Sequence, residues 1–165
     1  MLYPLIPQFT NGVYHQSIFN LGIFGTATSV GWTSFSILFG KIGDKHSKIT
    51  AVLASLVVSA LSFLLIILFK NFAILCVASF LVGASYTILF FMSGIIASAS
   101  PEHSVGKWVS ISQAIVPIVG FSAPILGGIL YEISPYLPFF VTVTGLSLLA
   151  IVVLMLTKNQ KEKKQ

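Results

Sequence analysis

The 165 residues carry nine lysines, no arginine and four acidic side chains, for a net charge of +5, yet charged residues make up only 8% of the chain and hydrophobic ones 56%. A soluble domain has about 25% charged residues, and a soluble chain of this make-up would expose more apolar surface than a monomer tolerates. Composition therefore excludes an ordinary soluble domain. It also excludes a nucleic-acid binder, because the lysines are scattered over joints and a tail.

Residues 1–9, Met-Leu-Tyr-Pro-Leu-Ile-Pro-Gln-Phe, are apolar but too short to span a bilayer. No basic segment precedes them and no small-residue cleavage site follows, so they are not a signal peptide. They read as a stub, the outer end of a helix whose beginning is missing. Five uncharged runs follow, at about 17–39, 49–69, 72–98, 108–130 and 137–157. Some 20 apolar residues rising ~1.5 Å each cross a ~30 Å hydrocarbon core as a helix. Strands need only about 10 residues and alternate polar with apolar, which these runs do not. The short joints suit helical hairpins. The expected fold is all-α, a polytopic bundle of five full transmembrane helices plus the stub, spanning residues 1–157 before a basic tail at 158–165. Pro101, Pro135 and Pro138 lie near run ends, whereas Pro117 and Pro124 lie inside the fourth run and should bend it. Cys76, alone and inside an apolar run, forms no intrachain disulfide.

Five crossings place Lys41, Lys45, Lys48, Lys107, Lys158, Lys161, Lys163 and Lys164 on one side and Lys70 on the other. The positive-inside rule makes the lysine-rich side cytoplasmic, with the C-terminus inside a cell membrane. Tyr131, Tyr136, Phe139 and Phe140 fit an outer aromatic belt and Trp108 an inner one, with simple packing as the competing account.

The joint between the first two runs reads Gly40-Lys41-Ile42-Gly43-Asp44-Lys45-His46-Ser47-Lys48. This lysine-rich, glycine-containing loop resembles the signature G-x-L-A-D-R-x-G-R-K of the major facilitator superfamily, the large group of secondary transporters. Gly40 and Asp44 match, Ile42 and Gly43 are mild replacements, and Lys45 and Lys48 keep the charge of the arginines; Ser47 and Ile49 depart from the pattern. Family members have twelve helices in two six-helix halves with both ends inside, and the signature follows the second helix of a half. Counting the stub as the first helix, the loop falls in that place. The resemblance covers nearly the whole chain but half a transporter, since twelve helices need roughly 400 residues at ~20 per span plus loops. The N-terminal half commonly carries an arginine in its fourth helix, and Val77–Ala84 has none. The chain also ends abruptly after its lysine tail, so the C-terminal half is favoured. An N-terminal half cut in its central loop is the alternative.

The fourth run carries Gly120-Phe121-Ser122-Ala123-Pro124-Ile125-Leu126-Gly127-Gly128, which resembles the G-P-x-x-G-G element of family antiporters. Pro124, Gly127 and Gly128 match; Ala123 replaces a glycine and Gly120 is one residue out of place. Read physically, Ala123 and Gly127, like Pro124 and Gly128, are four apart and form a helix-packing surface. No ionisable residue sits near the middle of any run. A proton-coupled transporter needs such a group, which then lies in the missing half. Neutral candidates for a substrate pathway are Asn20, Tyr86 and Gln113, with helix–helix hydrogen bonding as the bland account.

His15, His46 and His103 are far apart, no Cys/His metal spacing exists, and no nucleophile or phosphate-loop motif appears, so no enzyme, cofactor or metal site is expected. The resemblance implies transport of a small solute by alternating access, with Gly40, Gly43, Asp44, Lys45 and Lys48 as a conformational latch. Its partners would be the lipid bilayer, the solute, and the missing N-terminal half or a second chain, with no nucleic acid. A helical subunit or scaffold that moves no solute is the second reading, and a truncated, non-functional remnant the third.

Overall fold

A computed structural model describes residues 5–162, with side chains described except at Val119 and 156–162. Among the described residues seven α-helices run in chain order: α1 Leu5–Gly12, α2 Ile18–Lys45, α3 Lys48–Leu68, α4 Phe72–Val82, α5 Ala84–Ala99, α6 Val105–Ile133 and α7 Leu137–Glu162, with a 3₁₀ turn Glu102–Ser104 ahead of α6. No strand occurs among the described residues. Five candidate spans are long and apolar enough to cross a membrane, with α4 and α5 together forming one of them. The helix found near the stub is Leu5–Gly12, so it continues past residue 9, and residues 1–4 lie outside the described residues. α7 runs into the expected tail as far as Glu162; Lys163 and Lys164 lie outside the described residues.

Local chemistry sets the helix starts. Ser17, Ser47 and Asn71 each accept a hydrogen bond from a backbone N–H of the first turn they precede, at 3.2, 3.1 and 2.9 Å. Such a cap satisfies one of the donors that a helix N-terminus leaves unpaired. α3 is the axle of the bundle and packs against α2, α4, α5 and α7. Its buried face carries Ala51, Ser55, Ser59 and Ser62, small residues that let neighbouring backbones come close where no hydrophobic effect drives helices together.

The core has two apolar layers. Phe9, Tyr14, Phe24, Phe63, Ile66, Leu75 and Phe139 fill the end opposite the lysine-rich joint. Phe35, Phe39, Ala51 and Ala84 fill the lysine-rich end. Phe139 is fully buried with its ring 4.5 Å from that of Phe9, so packing accounts for it, whereas Phe140 is exposed. The Tyr14 hydroxyl donates to the carbonyls of Ile66 and Ile67 at 2.8 and 2.9 Å, capping the last turn of α3, and the Lys70 ammonium lies 5.8 Å from its ring centre. Burial, helped by Tyr136, pushes the Tyr14 phenol up to about 12, so it stays a neutral donor.

Between the layers α2 crosses α4 backbone to backbone. An ideal Cβ on Gly31 would fall on the Phe80 carbonyl, and one on Gly83 on the backbone of Gly31 and Trp32. Here the third run departs from a single helix. Gly83 takes φ −52° and ψ −29° and its N–H reaches Phe80 O, three residues back, at 3.1 Å. That is 3₁₀ geometry, and it separates α4 from α5 where α2 presses on the ladder. Adding a methyl here forces two backbones apart, whereas Gly25 has open space where its Cβ would be. Gly31→Ala and Gly83→Ala should each destabilise the bundle by about 1–3 kcal/mol. Gly25→Ala should leave it unchanged or raise stability by about 0.5–1 kcal/mol through helix propensity. Thermal unfolding in detergent micelles checks the contrast; equal effects at all three positions would sink the crossing as a stabilising contact.

Candidate functional site

The lysine-rich joint is tighter than the sequence suggested. α2 continues through Gly40, Gly43 and Asp44 to Lys45, leaving only His46 and Ser47 between it and α3. The expected nine-residue loop is therefore mostly the last turns of a helix. The reason is packing: Gly43 faces Ala51 of α3 and Phe91 of α5, at 3.6 and 3.4 Å from its would-be Cβ, so helical backbone there buries a contact that a loop would lose. Lys48 donates to Gly94 O of α5 at 2.8 Å. Lys48 thus ties α3 to α5 rather than pairing with Asp44. Asp44, Lys41 and Lys45 are exposed, and no described residue forms an ion pair or hydrogen bond with Asp44.

A second set of residues lies along α5. Tyr86, Phe90 and Ser93 are spaced four and three apart, so they share one helix face. Trp32 of α2 lies over this face, its ring centre 5.5 Å from Tyr86 and 6.1 Å from Phe90. Gln113 of α6 donates to Ser93 Oγ at 2.9 Å. Two of the three expected pathway residues, Tyr86 and Gln113, therefore border one α5-centred face. Asn20 does not join them. It sits in the first turn of α2, at the far end, and donates to Gln16 Oε1 at 2.8 Å.

Stripes of small and polar residues flank this face. On α2, Gly22, Thr26, Ser29 and Thr33 are exposed at steps of four, three and four. The three hydroxyls each donate to a carbonyl four residues back in their own helix, at 3.0, 3.1 and 3.1 Å. On α6, Gly106, Ser110, Gln113, Pro117, Gly120 and Pro124 are exposed at alternating steps of four and three. The expected helix-packing surface on α6 is thus split. Gly127 is buried and Ala123 half-buried, but Gly120 and Pro124 face outward and a Cβ on Gly120 or Gly128 would meet open space. The close backbone contact occurs at Gly31 and Gly83 instead. Sequence reasoning passed over that pair, although Ala27/Gly31 and Ser79/Gly83 are small residues at the four-residue spacing that marks such crossings.

A buried hydroxyl cluster fastens α3 to α5 behind the face. Ser55 Oγ and Thr87 Oγ1 are 2.9 Å apart, and Ser85 donates to Ser59 Oγ at 3.0 Å. Each of Ser55, Ser59 and Thr87 also donates to, or shares a proton towards, a carbonyl of its own helix at 2.6–2.9 Å.

Comparison with known proteins follows this geometry. The profile of the Major Facilitator Superfamily matches residues 1–165. The quinolone resistance protein NorA of Staphylococcus aureus (strain MRSA252) is 25% identical over 122 residues, covering 73% of this chain and 31% of that protein. The riboflavin transporter RibZ of Clostridioides difficile (strain 630) is 25% identical over 127 residues, covering 76% of this chain and 28% of that protein. The match thus spans less than a third of either relative.

Ser47 and Asp44 should contribute differently to stability at the joint. Ser47→Ala removes the α3 cap and should cost about 1 kcal/mol. Asp44→Asn, changing an exposed side chain without described partners, should alter stability by less than about 0.5 kcal/mol. Denaturant titration in mixed micelles reads both; a large loss on Asp44→Asn would mean that it holds the fold.

Proposed function

The chain belongs to the Major Facilitator Superfamily, and we propose that it supplies one half of a secondary transporter whose solute passes along the α2–α5–α6 face. The observation that carries this reading is the character of that face. A lipid-facing helix is expected to be aliphatic, as α7 is with exposed Leu148, Leu149, Ile151, Val152 and Leu154. The α2–α5–α6 face instead exposes hydroxyls, an amide, glycines and stacked aromatic rings. Such a surface suits a second protein half with a solute path between the two, which rock about a site near the midplane. The partner half lies in a segment joined to this one, in a separate chain, or in a second copy.

The solute class follows from the rings. Trp32, Tyr86 and Phe90 offer flat stacking surfaces, and Gln113 offers an amide that both donates and accepts. A planar aromatic heterocycle fits that combination. The relatives are named for quinolone resistance and for riboflavin transport, and both names refer to such molecules.

At the lysine-rich end Asp44 is exposed, and in this reading it meets the N-terminus of a helix from the opposite half. A carboxylate there gains about 0.3–2 kcal/mol from the unpaired N–H groups and the helix dipole. That contact exists only while this side is closed, so it biases the conformational equilibrium. The positive-inside rule assigns this end to the cytoplasm.

Orientation is tested with single cysteines at Lys41 and Lys107 in a Cys76→Ala background. Impermeant maleimide should reach both only from the cytoplasmic side, and labelling from outside would reverse the topology.

Transport is tested by uptake of riboflavin and a quinolone into proteoliposomes. The purified monomer should give no saturable flux, and the chain assembled with its partner half, or as a dimer, should. In the assembled form Gln113→Leu should lower kcat/KM about tenfold or more through loss of a buried amide contact. Asp44→Asn should slow cycling while expression holds. Saturable uptake by the monomer overturns the half-transporter reading, and no uptake in any assembled form leaves the helical scaffold.

A further inference from the structure

α1, α2 and α4 border a partly open cavity of about 100 Å³ that the transport face does not use. Ile6 and Thr10 of α1, Phe24 and Thr28 of α2, and Ser79 and Val82 of α4 line it. A cavity of about 150 Å³ in an apolar core takes up benzene, so this one has room for a few heavy atoms.

The telling side chain is Ser79. It is 4% exposed. The other buried hydroxyls among the described residues, those of Thr10, Tyr14, Ser55, Ser59, Ser62 and Thr87, each make hydrogen bonds. A serine within a membrane helix ordinarily donates to a carbonyl three or four residues back, as Ser29, Ser34, Ser93 and Ser147 do here. Ser79 alone among the buried hydroxyls has no hydrogen-bond partner among the described residues, and it lines the cavity. The Ser79 oxygen is not sealed in protein but opens on the cavity, so a partner for this hydroxyl can come from that space.

We propose that the α1–α2–α4 cavity binds a small, uncharged, mainly apolar molecule whose one polar group hydrogen-bonds the Ser79 hydroxyl. No charged side chain lines the cavity, which disfavours an ion. The hydroxyl protons of Thr10 and Thr28 are already given to Ile6 O and Phe24 O at 2.9 Å each, so these two groups can only accept, and the hydrocarbon that makes up most of the lining suits an apolar body better than a cluster of waters. Ser79 therefore supplies the one free donor on walls that are otherwise mostly hydrocarbon. A short-chain alcohol or a similar hydroxylated hydrocarbon matches both features.

The probe is a diazirine-bearing butanol, with the diazirine-bearing butane as its counterpart lacking the hydroxyl. Both are photolysed with the full chain in lipid nanodiscs, and adducts are mapped by mass spectrometry. The alcohol should label the α1, α2 and α4 residues around Ser79, and excess butanol should suppress those adducts. Ser79→Ala keeps the space and removes the donor, so cavity labelling by the alcohol should fall about two- to tenfold, the worth of one hydrogen bond, while labelling by the butane probe holds. Ser79→Leu fills the space and should abolish both. Adducts confined to lipid-facing residues, or alcohol labelling unaffected by Ser79→Ala, would overturn the site. The assay requires no flux, so its outcome is independent of the transport reading.

Discussion

The backbone contact between Gly31 and Gly83 is the constraint on which the rest of this structure depends. Helices in a bilayer gain little by hiding apolar side chains from one another, because lipid is as apolar as leucine. They associate closely only where small residues let backbones touch. α2 and α4 do so at one level, where a single added carbon on either glycine would strike the other helix's backbone. Three consequences follow. The ladder tightens at Gly83, so α5 departs from the line of α4. Trp32, one residue beyond Gly31, is carried over Tyr86, three beyond Gly83. Thr28, Ser79 and Val82, on the other side of the crossing, are drawn around a cavity they do not fill. One contact thus shapes both the aromatic face and the cavity beside it.

The crossing also explains why the middle of the bundle is built of glycine and hydroxyls while its ends are aromatic. Phenylalanine fills the space between helices at the two ends, as Phe9 does against Phe139 and Phe35 against Phe80. Where backbones approach, only small residues fit, and serine fits almost as well as alanine. It adds a hydrogen bond that can reach a neighbouring helix, as Ser55 reaches Thr87 and Ser85 reaches Ser59. Such bonds are worth about 0.6 kcal/mol each in membrane proteins, so they fix register more than they supply stability.

How much of this was legible in the sequence depends on the kind of signal. Membrane class and all-α architecture are readable from hydropathy, because a run of 20 uncharged residues has few other stable states in a bilayer. The end of α2 was not. Gly40, Gly43 and the lysines look like loop punctuation, yet the chain stays helical to Lys45 because Gly43 packs on Ala51 and Phe91, residues distant in sequence. The break at Gly83 was hidden for the same reason: glycine in a helix is ordinary until another backbone lies against it. The α6 motif drew notice through its density of glycine and proline, but Gly120 and Pro124 face outward while Gly127 faces in. Spacing shows which residues share a face, and it does not show what that face meets. Tyr86 and Gln113 were readable as polar groups in apolar runs; Trp32, which completes their face, had no signal beyond being aromatic.

The polar stripe on α2 has a property suited to an interface that opens and closes, the motion the proposed reading requires. Thr26, Ser29 and Thr33 each satisfy their donor within their own helix. A face made of charges or of amides bonded across the interface would have to exchange those bonds for bonds to water each time the halves part. Self-satisfied hydroxyls have no such bonds to exchange. They still offer lone pairs to water or to a passing solute when the path is open, and they pack as small residues when it is closed. Gln113 is the exception on the neighbouring helix, because its amide is bonded to Ser93 across a helix boundary. In the proposed transport reading, a solute that takes that bond must offer an equivalent one, so Gln113 would be the point on the face where chemistry, rather than shape alone, discriminates.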